Sequence, residues 1–250
     1  MKRILLFFSF ILCLSAVATA QTANLKIAND LYVKGQYAEA AKLYEQIITK
    51  QGVAPELYYN LGNAYYKQNE TGKSILNYER ALRLDPGYDD ARFNLEIAQQ
   101  KVVDNILQTP TFFVGRWVEI FIKWLSSNQW LLVSFLLFIT ALALGFVFVF
   151  GPSLALRKAS FYSGFVILLI SITTLVFAGI RKSQVTNHDE AIVMTGVVTI
   201  KSSPDKSGTD LFQLHEGTKV GIKTSLGSWI EIVLSNGNAG WVEVENVEKI

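Results

Sequence analysis

Two long apolar runs in the middle of the chain constrain its architecture more than any other feature. They comprise residues 130–150 and 160–180, and neither contains a charged residue. About 20 apolar residues in a helix, rising 1.5 Å each, cross a hydrocarbon layer of roughly 30 Å. The sequence therefore predicts two transmembrane helices joined by a turn over 151–159. The alternative is a helical pair buried in a soluble core, although soluble helices of this length normally carry a polar stripe.

Two crossings form a hairpin, so the segments before and after it are expected on one side of the membrane. Residues 1–20 have a basic start, an apolar stretch and a small-residue end, which is the pattern of a secretory signal peptide. An uncleaved anchor is the alternative. Export of residue 21 onward places Arg157 and Lys158 in a cytoplasmic turn, as the positive-inside rule prefers. The predicted location is the bacterial inner membrane, with the N- and C-terminal domains in the periplasm.

The segment 21–107 repeats itself at a spacing of 34 residues. Asn29 aligns with Asn63, and Tyr44 aligns with Tyr78. A period of this length is typical of stacked helical pairs, in which each pair needs a neighbour to cover its apolar face. We expect two such pairs, followed from Asp89 to about Leu107 by a polar helix that closes the stack.

The repeated residues resemble tetratricopeptide repeats, most clearly in the second unit. That unit has Tyr58, Leu61, Gly62 and Tyr65 in the family spacing and ends in Leu84-Asp85-Pro86. The resemblance implies a helical solenoid that binds peptides or proteins on the concave face formed by the first helix of each pair.

The concave face is expected to present amides and aromatic hydroxyls, which can anchor a peptide by packing and by hydrogen bonding. The alternative is that half of these residues only pack between helices. Family members that clamp a C-terminal carboxylate have lysines where this chain has Leu25 and Asp90, which argues against such a clamp. The predicted partner-binding residues are Asn29, Tyr32, Tyr59, Asn63 and Tyr66.

Residues 112–125 form a second amphipathic pattern between the repeats and the first apolar run. Arg116, Glu119 and Lys123 share one helical face, and Trp117 and Trp124 belong to the apolar surface. Tryptophans favour the headgroup region of a bilayer. We expect a helix lying in the outer interface, so that the lipid bilayer is itself a partner. The alternative is an ordinary amphipathic helix packed against the repeats.

The segment 189–250 changes to strand-like alternation between turn clusters, of which Asn236-Gly237 is the strongest hairpin signal. Five short strands in a small barrel are expected. The pieces Leu214–Val220 and Gly240-Trp241-Val242, in this order, resemble a bacterial SH3-like domain. The resemblance implies an aromatic groove. The alternative is that the tryptophans fill the core of the barrel, which we expect for Trp241 and leave open for Trp229. The groove candidates are Phe212, Trp229 and Trp241.

The sequence contains no pattern that is typical of a catalytic or metal-binding site. The two histidines stand apart, the single cysteine, Cys13, lies in the predicted signal peptide, and no nucleophile or phosphate-binding motif is present. We therefore expect no catalytic residue, metal or cofactor. The net charge of +2 does not favour nucleic acid as a partner. Apolar runs without ionisable residues also argue against transport.

Taken together, the segments predict a multidomain α, membrane and β protein: a tetratricopeptide-repeat solenoid, a transmembrane hairpin and an SH3-like β-barrel. This order resembles the BatE-type aerotolerance-associated membrane proteins of Bacteroidetes-type bacteria. The resemblance implies a scaffold in an envelope-stress complex, with von Willebrand A-domain membrane proteins as partners. An alternative function is a sensor or anchor whose SH3-like domain binds peptidoglycan. A third possibility is display of both modules in the cytoplasm.

Overall fold

A computed structural model describes residues 24–104, 106, 113–187 and 189–250. The predicted signal peptide, 1–20, lies outside the described residues. The chain divides into two compact units. The repeat–sheet unit combines the described residues before 110 with those after 187, and the hairpin unit contains the described residues between these limits. The two segments that flank the apolar runs in sequence therefore form a single body.

Four helices form the predicted repeat pairs, and a fifth follows them. Both turns within the pairs need a left-handed residue: Gly35 has φ 78°, and Asn69, one 34-residue repeat later, has φ 62°. Glycine and asparagine are the residues that tolerate this conformation best. The helices are α1 (24–33), α2 (Tyr37–Gln51), α3 (Pro55–Lys67), α4 (Thr71–Leu84) and α5 (Asp89–Gln99).

Helix α5 is shorter than the sequence indicated. It ends at Gln99 rather than near Leu107, and the residues after it leave the helix and run along the C-terminal sheet. Val102 joins a buried cluster between helices and sheet, and Ile106 packs against the core of the sheet. Of the polar residues that suggested a longer closing helix, Glu96 and Gln99 lie in α5, whereas Gln100 and Lys101 begin a connecting strap. The stack is closed by the sheet.

The C-terminal segment is an antiparallel sheet of seven strands rather than the five expected. The strand-like segment 191–200 forms two strands, because it leaves the sheet at residues 194–196, and Asp210–His215 adds a strand that the alternation pattern did not indicate. The predicted Asn236-Gly237 turn is confirmed, and Gly237 has φ 88° there. The strands are β1 (Glu190–Val193), β2 (Val197–Lys201), β3 (Asp210–His215), β4 (Lys219–Leu226), β5 (Trp229–Val233), β6 (Ala239–Glu243) and β7 (Val247–Lys249).

The sheet is not a closed barrel. Its strand order is β3-β2-β6-β5-β4-β1-β7, so β3 and β7 are edges. Buried residues from both edge strands, Leu214 and Val247, nevertheless belong to one core cluster with Ile230, Ile232 and Val242. A sheet whose two edges share one core must be strongly curved. It covers its apolar face by bending, without joining its edges by hydrogen bonds.

The sheet docks on helices α4 and α5 through an apolar cluster. Ile192 of β1 and Ile250 are buried with Ile75, Tyr78 and Leu95 of the helices. These residues are at most 7% exposed. A buried cluster that draws residues from both modules stabilises them as one body, because separating the modules would return this apolar surface to water.

Gly217, between β3 and β4, lies close to α4 and to the strap after α5. A Cβ atom at this position would lie 2.8 Å from Cγ2 of Val102 and 3.0 Å from Cδ1 of Ile75. The residue also has φ 88°, in the left-handed region. Glycine is required here for two independent reasons, since a side chain would be strained and would also push the docked surfaces apart.

Asp104, in the strap after α5, ties the repeats to the sheet. Its Oδ2 accepts hydrogen bonds from the His215 backbone N–H at 2.7 Å and from the Thr218 hydroxyl at 2.6 Å, and its Oδ1 lies 2.7 Å from Nδ1 of His215. Burial alone would raise the pKa of this carboxyl, but the hydrogen bonds from Thr218 and His215 outweigh it and hold the pKa below its ordinary value.

Further polar contacts join α4 to the sheet. The Glu216 carboxylate accepts from the Gly72 N–H at 2.7 Å, so the sheet caps the first turn of the helix. Lys219 Nζ lies 2.9 Å from carboxylate oxygens of both Glu79 and Glu190. Arg80 donates to the main-chain oxygen of Lys249 at 2.7 Å, which covers part of the β7 edge.

The hairpin unit consists of a short helix and two long ones: α6 (Phe113–Lys123), α7 (Ser127–Phe150) and α8 (Leu154–Thr186). The two long helices have the length and composition to cross a membrane. The break between them is shorter than predicted, because Ser153 caps α8 and the helix begins at Leu154. Arg157 therefore lies in the first turn of α8 and donates from Nε to the Phe148 carbonyl at 2.9 Å, near the end of α7. The predicted turn 151–159 is reduced to three residues.

Helices α7 and α8 pack through small and hydroxylated residues. The hydroxyls of Ser134 and Ser171 each donate to the other residue's main-chain oxygen, both at 2.9 Å. A Cβ at Gly164 would lie 3.3 Å from the Cβ of Leu144. Of the small residues on α8, Gly164, Ser171 and Thr174 are buried, whereas Ser163 and Thr173 are exposed. Close packing of this kind is how helices associate in a lipid environment.

Candidate functional site

The inner face of the repeat stack carries a cavity of about 270 Å³. Four of the five residues predicted for the groove line it: Tyr32, Tyr59, Asn63 and Tyr66. The fifth, Asn29, does not. The remaining lining residues are Lys67, Tyr78, Asn94 and Ile97.

The amide of Asn63 is held in one orientation. Its Oδ1 accepts a hydrogen bond from the Tyr78 hydroxyl at 2.6 Å and another from Nδ2 of Asn94 at 2.8 Å. Two donors satisfy both lone pairs of a carbonyl oxygen. The Nδ2 group of Asn63 has no partner among the described residues, so it is a donor available to a ligand.

Asn29 repeats half of this arrangement one repeat earlier. Its Oδ1 accepts from the Tyr44 hydroxyl at 2.7 Å, but no counterpart of Asn94 reaches it among the described residues. Burial, with a smaller contribution from Tyr32, raises the pKa of Tyr44 to about 12. Burial likewise raises the pKa of Tyr78. Both phenols therefore remain protonated donors near neutral pH, and each asparagine has a structural role in its own repeat.

Aromatic and cationic groups are arranged along the length of α3. Near its start, the Tyr59 ring centroid lies 5.0 Å from that of Tyr88. At its end, Nζ of Lys101 lies 4.0 Å from the centroid of the Tyr66 ring, close enough for a cation–π interaction. Lys67 lines the cavity at the same end of α3. The cavity thus has flat aromatic walls and an ammonium-rich end.

Asn94 and Ile97 of α5 and the nearby Lys101 were not predicted for the groove, because the end of this segment was read as a closing helix. Lys67 and Tyr78, which also line the cavity, were not predicted for it either. Asn94 aligns with Asn60 in the 34-residue register, and its role depends on the packing of α5 against α3 rather than on the repeat pattern. Ile97 occupies the register position of Asn63. Extending the alignment by one more unit would have indicated it. Lys101 follows the end of α5, where the pattern fades.

The aromatic residues predicted for the C-terminal groove are placed on two faces of the sheet. Trp229 and Trp241 lie on the outer face of β5 and β6, where the register sets Trp241 opposite Glu231. Each is partly exposed, so the expectation that Trp241 fills the core is wrong: Gly240 and Val242 face the core instead. Phe212 packs against the core cluster. The sheet therefore brings the two tryptophans together without Phe212.

Helix α6 presents an exposed aromatic surface. Trp117 and Trp124 are each 74% exposed. Phe121 is half-exposed beside them and also packs against Trp130 and Phe177, with ring centroids 5.5 and 5.9 Å away. Nε1 of Trp130 donates to the Ile122 carbonyl at 2.9 Å. These contacts fix α6 to the ends of α7 and α8, while the two tryptophans remain outside.

Comparison with known proteins agrees with the helical part of this arrangement. In the parts of the chain that the structure describes, no group of three or more His, Cys, Asp or Glu residues is placed to hold a metal ion. None of the curated proteins matches the chain. Residues 25–95 match the family model of the tetratricopeptide repeat, so the cavity is built on a segment of tetratricopeptide repeats.

Proposed function

We propose that this protein is a non-enzymatic scaffold of the bacterial inner membrane that binds partner proteins in the groove of its tetratricopeptide repeats. The observation that carries the proposal is the pre-organised cavity: three tyrosines and an asparagine whose amide is fixed by Tyr78 and Asn94. Fixed donors and flat aromatic surfaces bind a peptide at low entropic cost. These features fit recognition of an extended protein segment.

Attachment to a membrane is supported by where the apolar residues of the hairpin unit lie. Phe135, Leu142 and Phe146 are each more than half exposed, although a core helix of a soluble protein would bury them. The helices are also far from the start of the chain, unlike a signal sequence. Lipid on the outer surface would satisfy these residues, and Trp117 of α6 and Trp124, just after it, fit the headgroup level beside them.

The side of the membrane on which the repeat–sheet unit lies, and the biological process that it serves, are inferred from the sequence. A cleaved signal peptide over 1–20 would place the repeat–sheet unit in the periplasm, with Arg157 and Lys158 toward the cytoplasm. The resemblance to BatE-type proteins supports partners of the von Willebrand A-domain class and a role in aerotolerance or envelope stress.

Binding of peptidoglycan by the SH3-like sheet is a second proposal, supported by Trp229 and Trp241 on one outer face. Because the sheet shares a buried cluster with the repeats, the test uses the whole chain in detergent. Sedimentation with purified sacculi that is lost in a Trp229→Ala, Trp241→Ala variant supports it. Equal sedimentation of the parent and the variant, or no sedimentation of either, contradicts this second proposal.

Site-specific photocrosslinking in cells tests the scaffold function. A photoreactive phenylalanine analogue replaces Tyr59 in the groove or, as the control, Lys50 on the exposed side of α2. We expect crosslinks from position 59 to a membrane or periplasmic protein and none to that protein from position 50. The absence of any adduct at position 59, or the same adducts from both positions, contradicts the proposal.

A further inference from the structure

The groove is lined by hydrogen-bond donors. Asn63 offers Nδ2, because its oxygen is already taken by Tyr78 and Asn94. The hydroxyl oxygen of Tyr59 lies 3.4 Å from Nδ2 of Asn94 and so is an acceptor in that contact, which leaves its own proton for a ligand. Tyr32, Tyr66 and Lys67, whose side chains carry hydroxyl and ammonium donors, also line the cavity.

The charges around the cavity are separated along α3. In the part of the chain that the structure describes, no carboxylate is among the lining residues, and Lys67 and Lys101 lie at the Tyr66 end. Glu56 and Asp90 lie toward the other end, near Tyr88, whose pKa is raised by burial and by these carboxylates. Tyr59 and Tyr66 are seven residues apart on one helix, or roughly 10 Å.

We propose that the groove selects an extended peptide segment by an acidic side chain, which is bound between Asn63 and Lys67 by charge-assisted hydrogen bonds. The inference rests on the proposed function, since it names the ligand chemistry of the same groove. A carboxylate is an acceptor only, and it satisfies donors that a neutral side chain would leave partly unpaired. The carboxylates at the Tyr88 end disfavour a uniformly acidic segment. The groove therefore recognises a single acidic residue at one position of the bound segment.

The acidic group is assigned to a side chain rather than to a chain terminus. The lysine positions of a C-terminal carboxylate clamp are Leu25 and Asp90 in this protein, and Asp90 would repel a terminus. Amidation of the C-terminus of a bound peptide should therefore leave its affinity unchanged.

The substitution Asn63→Asp isolates the donor. An aspartate keeps an oxygen that accepts from Tyr78 and Asn94 but replaces the free NH₂ group by a negatively charged oxygen. Asn29→Asp is the matched control, because Asn29 accepts from Tyr44 in the same way and lies outside the cavity lining. Thermal unfolding of both variants verifies that the repeats remain folded.

The experiment selects random displayed peptides on the full-length protein in lipid nanodiscs. We expect Asp and Glu to be enriched at one position of the selected peptides. Replacing that residue by its amide should weaken binding roughly tenfold or more, and Asn63→Asp should weaken binding similarly, whereas Asn29→Asp should not. Selected peptides without an acidic preference, unaffected by Asn63→Asp, would overturn the inference but leave the groove as a peptide site. Failure to select any peptide would overturn the proposed function as well.

Discussion

The repeat–sheet unit buries its large apolar side chains, whereas the hairpin unit exposes many of them. Tyr44, Ile75 and Ile192 are at most 2% exposed in the first, whereas Phe135 and Phe146 are at least 60% exposed in the second. Burial of apolar surface stabilises a fold only where the surrounding solvent is water. One unit has its large apolar residues inside and the other has them outside, which is the arrangement that the proposed membrane hairpin requires.

The polar contacts that join elements within the two units differ in the same way. In the repeat–sheet unit, charged groups such as Asp104 bind residues more than 100 positions away in sequence. In the hairpin unit, Ser134 and Ser171 exchange hydrogen bonds with main-chain oxygens and bring no charge. Charged groups are tolerated where water can reach them, whereas helices that associate in lipid rely on neutral hydroxyls and close packing, as the proposed membrane hairpin would at Ser134 and Ser171.

The largest effect is expected when a charge is placed on an exposed apolar residue of each unit. Leu142→Asp, in the middle of α7, should disfavour membrane insertion by about 3 kcal/mol. Val33→Asp, at a residue that is 84% exposed in the repeats, should change stability by no more than about 0.5 kcal/mol. Recovery in the carbonate-washed membrane fraction measures both. Equal recovery of the two variants would show that lipid does not surround α7.

The next effect tests the docked surfaces of the repeat–sheet unit. Gly217 and Gly237 both have φ 88°, but only Gly217 has neighbours where a Cβ would be placed. Gly217→Ala should therefore destabilise the unit by about 2 kcal/mol more than Gly237→Ala, since backbone strain is common to both. Chemical unfolding in detergent, followed by tryptophan fluorescence, gives the difference. Equal effects of the two substitutions would mean that the docked surfaces are not in contact.

A smaller effect, dependent on pH, is expected at Asp104. Its pKa lies below the ordinary value in the folded chain, so the ionised form favours folding. This contribution is complete above about pH 4 and is lost as the pH falls through the lower, folded-state value. Asp104→Asn should cost about 1.5 kcal/mol near neutral pH. The difference between variant and parent should vanish in acid when unfolding is measured across this range, and a difference independent of pH would contradict the account.

The smallest effect is expected between the two long helices. Ser134→Ala removes a hydroxyl that bridges α7 and α8, and should weaken their association by about 0.6 kcal/mol. Ser163→Ala is the control, because that hydroxyl bonds within its own helix, to the Ala159 carbonyl. Denaturation in mixed micelles compares them. A larger effect of the control would place the helix contact elsewhere.

The sequence predicted those features that depend on local periodicity. The 34-residue register indicated the paired helices, and Asn236-Gly237 indicated a hairpin, since both patterns involve neighbouring residues. The predicted end of α5 near Leu107 was wrong, because the strap that follows Gln99 is stabilised by distant partners, His215 and Thr218. The position of Trp241 was also misjudged, because one residue of register moves a side chain to the other face of a sheet.

The groove could be predicted in part for the same reason. Tyr32, Tyr59, Asn63 and Tyr66 follow from the repeat alignment, which places equivalent residues on one face. The orientation of the Asn63 amide could not be predicted, because it depends on Asn94 approaching from α5. Docking of the sheet on α4 was also beyond the sequence, since no local pattern relates Gly217 to Val102 and Ile75.

The central claim is that the repeats and the sheet form one body on one side of a membrane that α7 and α8 cross. Labelling of single cysteines with a membrane-impermeant thiol reagent tests it directly, in intact cells carrying a Cys13→Ser background. The probes are Lys50→Cys in α2, Lys206→Cys between β2 and β3, and Ser153→Cys between the long helices. We predict that positions 50 and 206 react alike and that position 153 reacts only from the opposite side. Reaction of all three from the same side, or of 50 and 206 from different sides, would contradict the account.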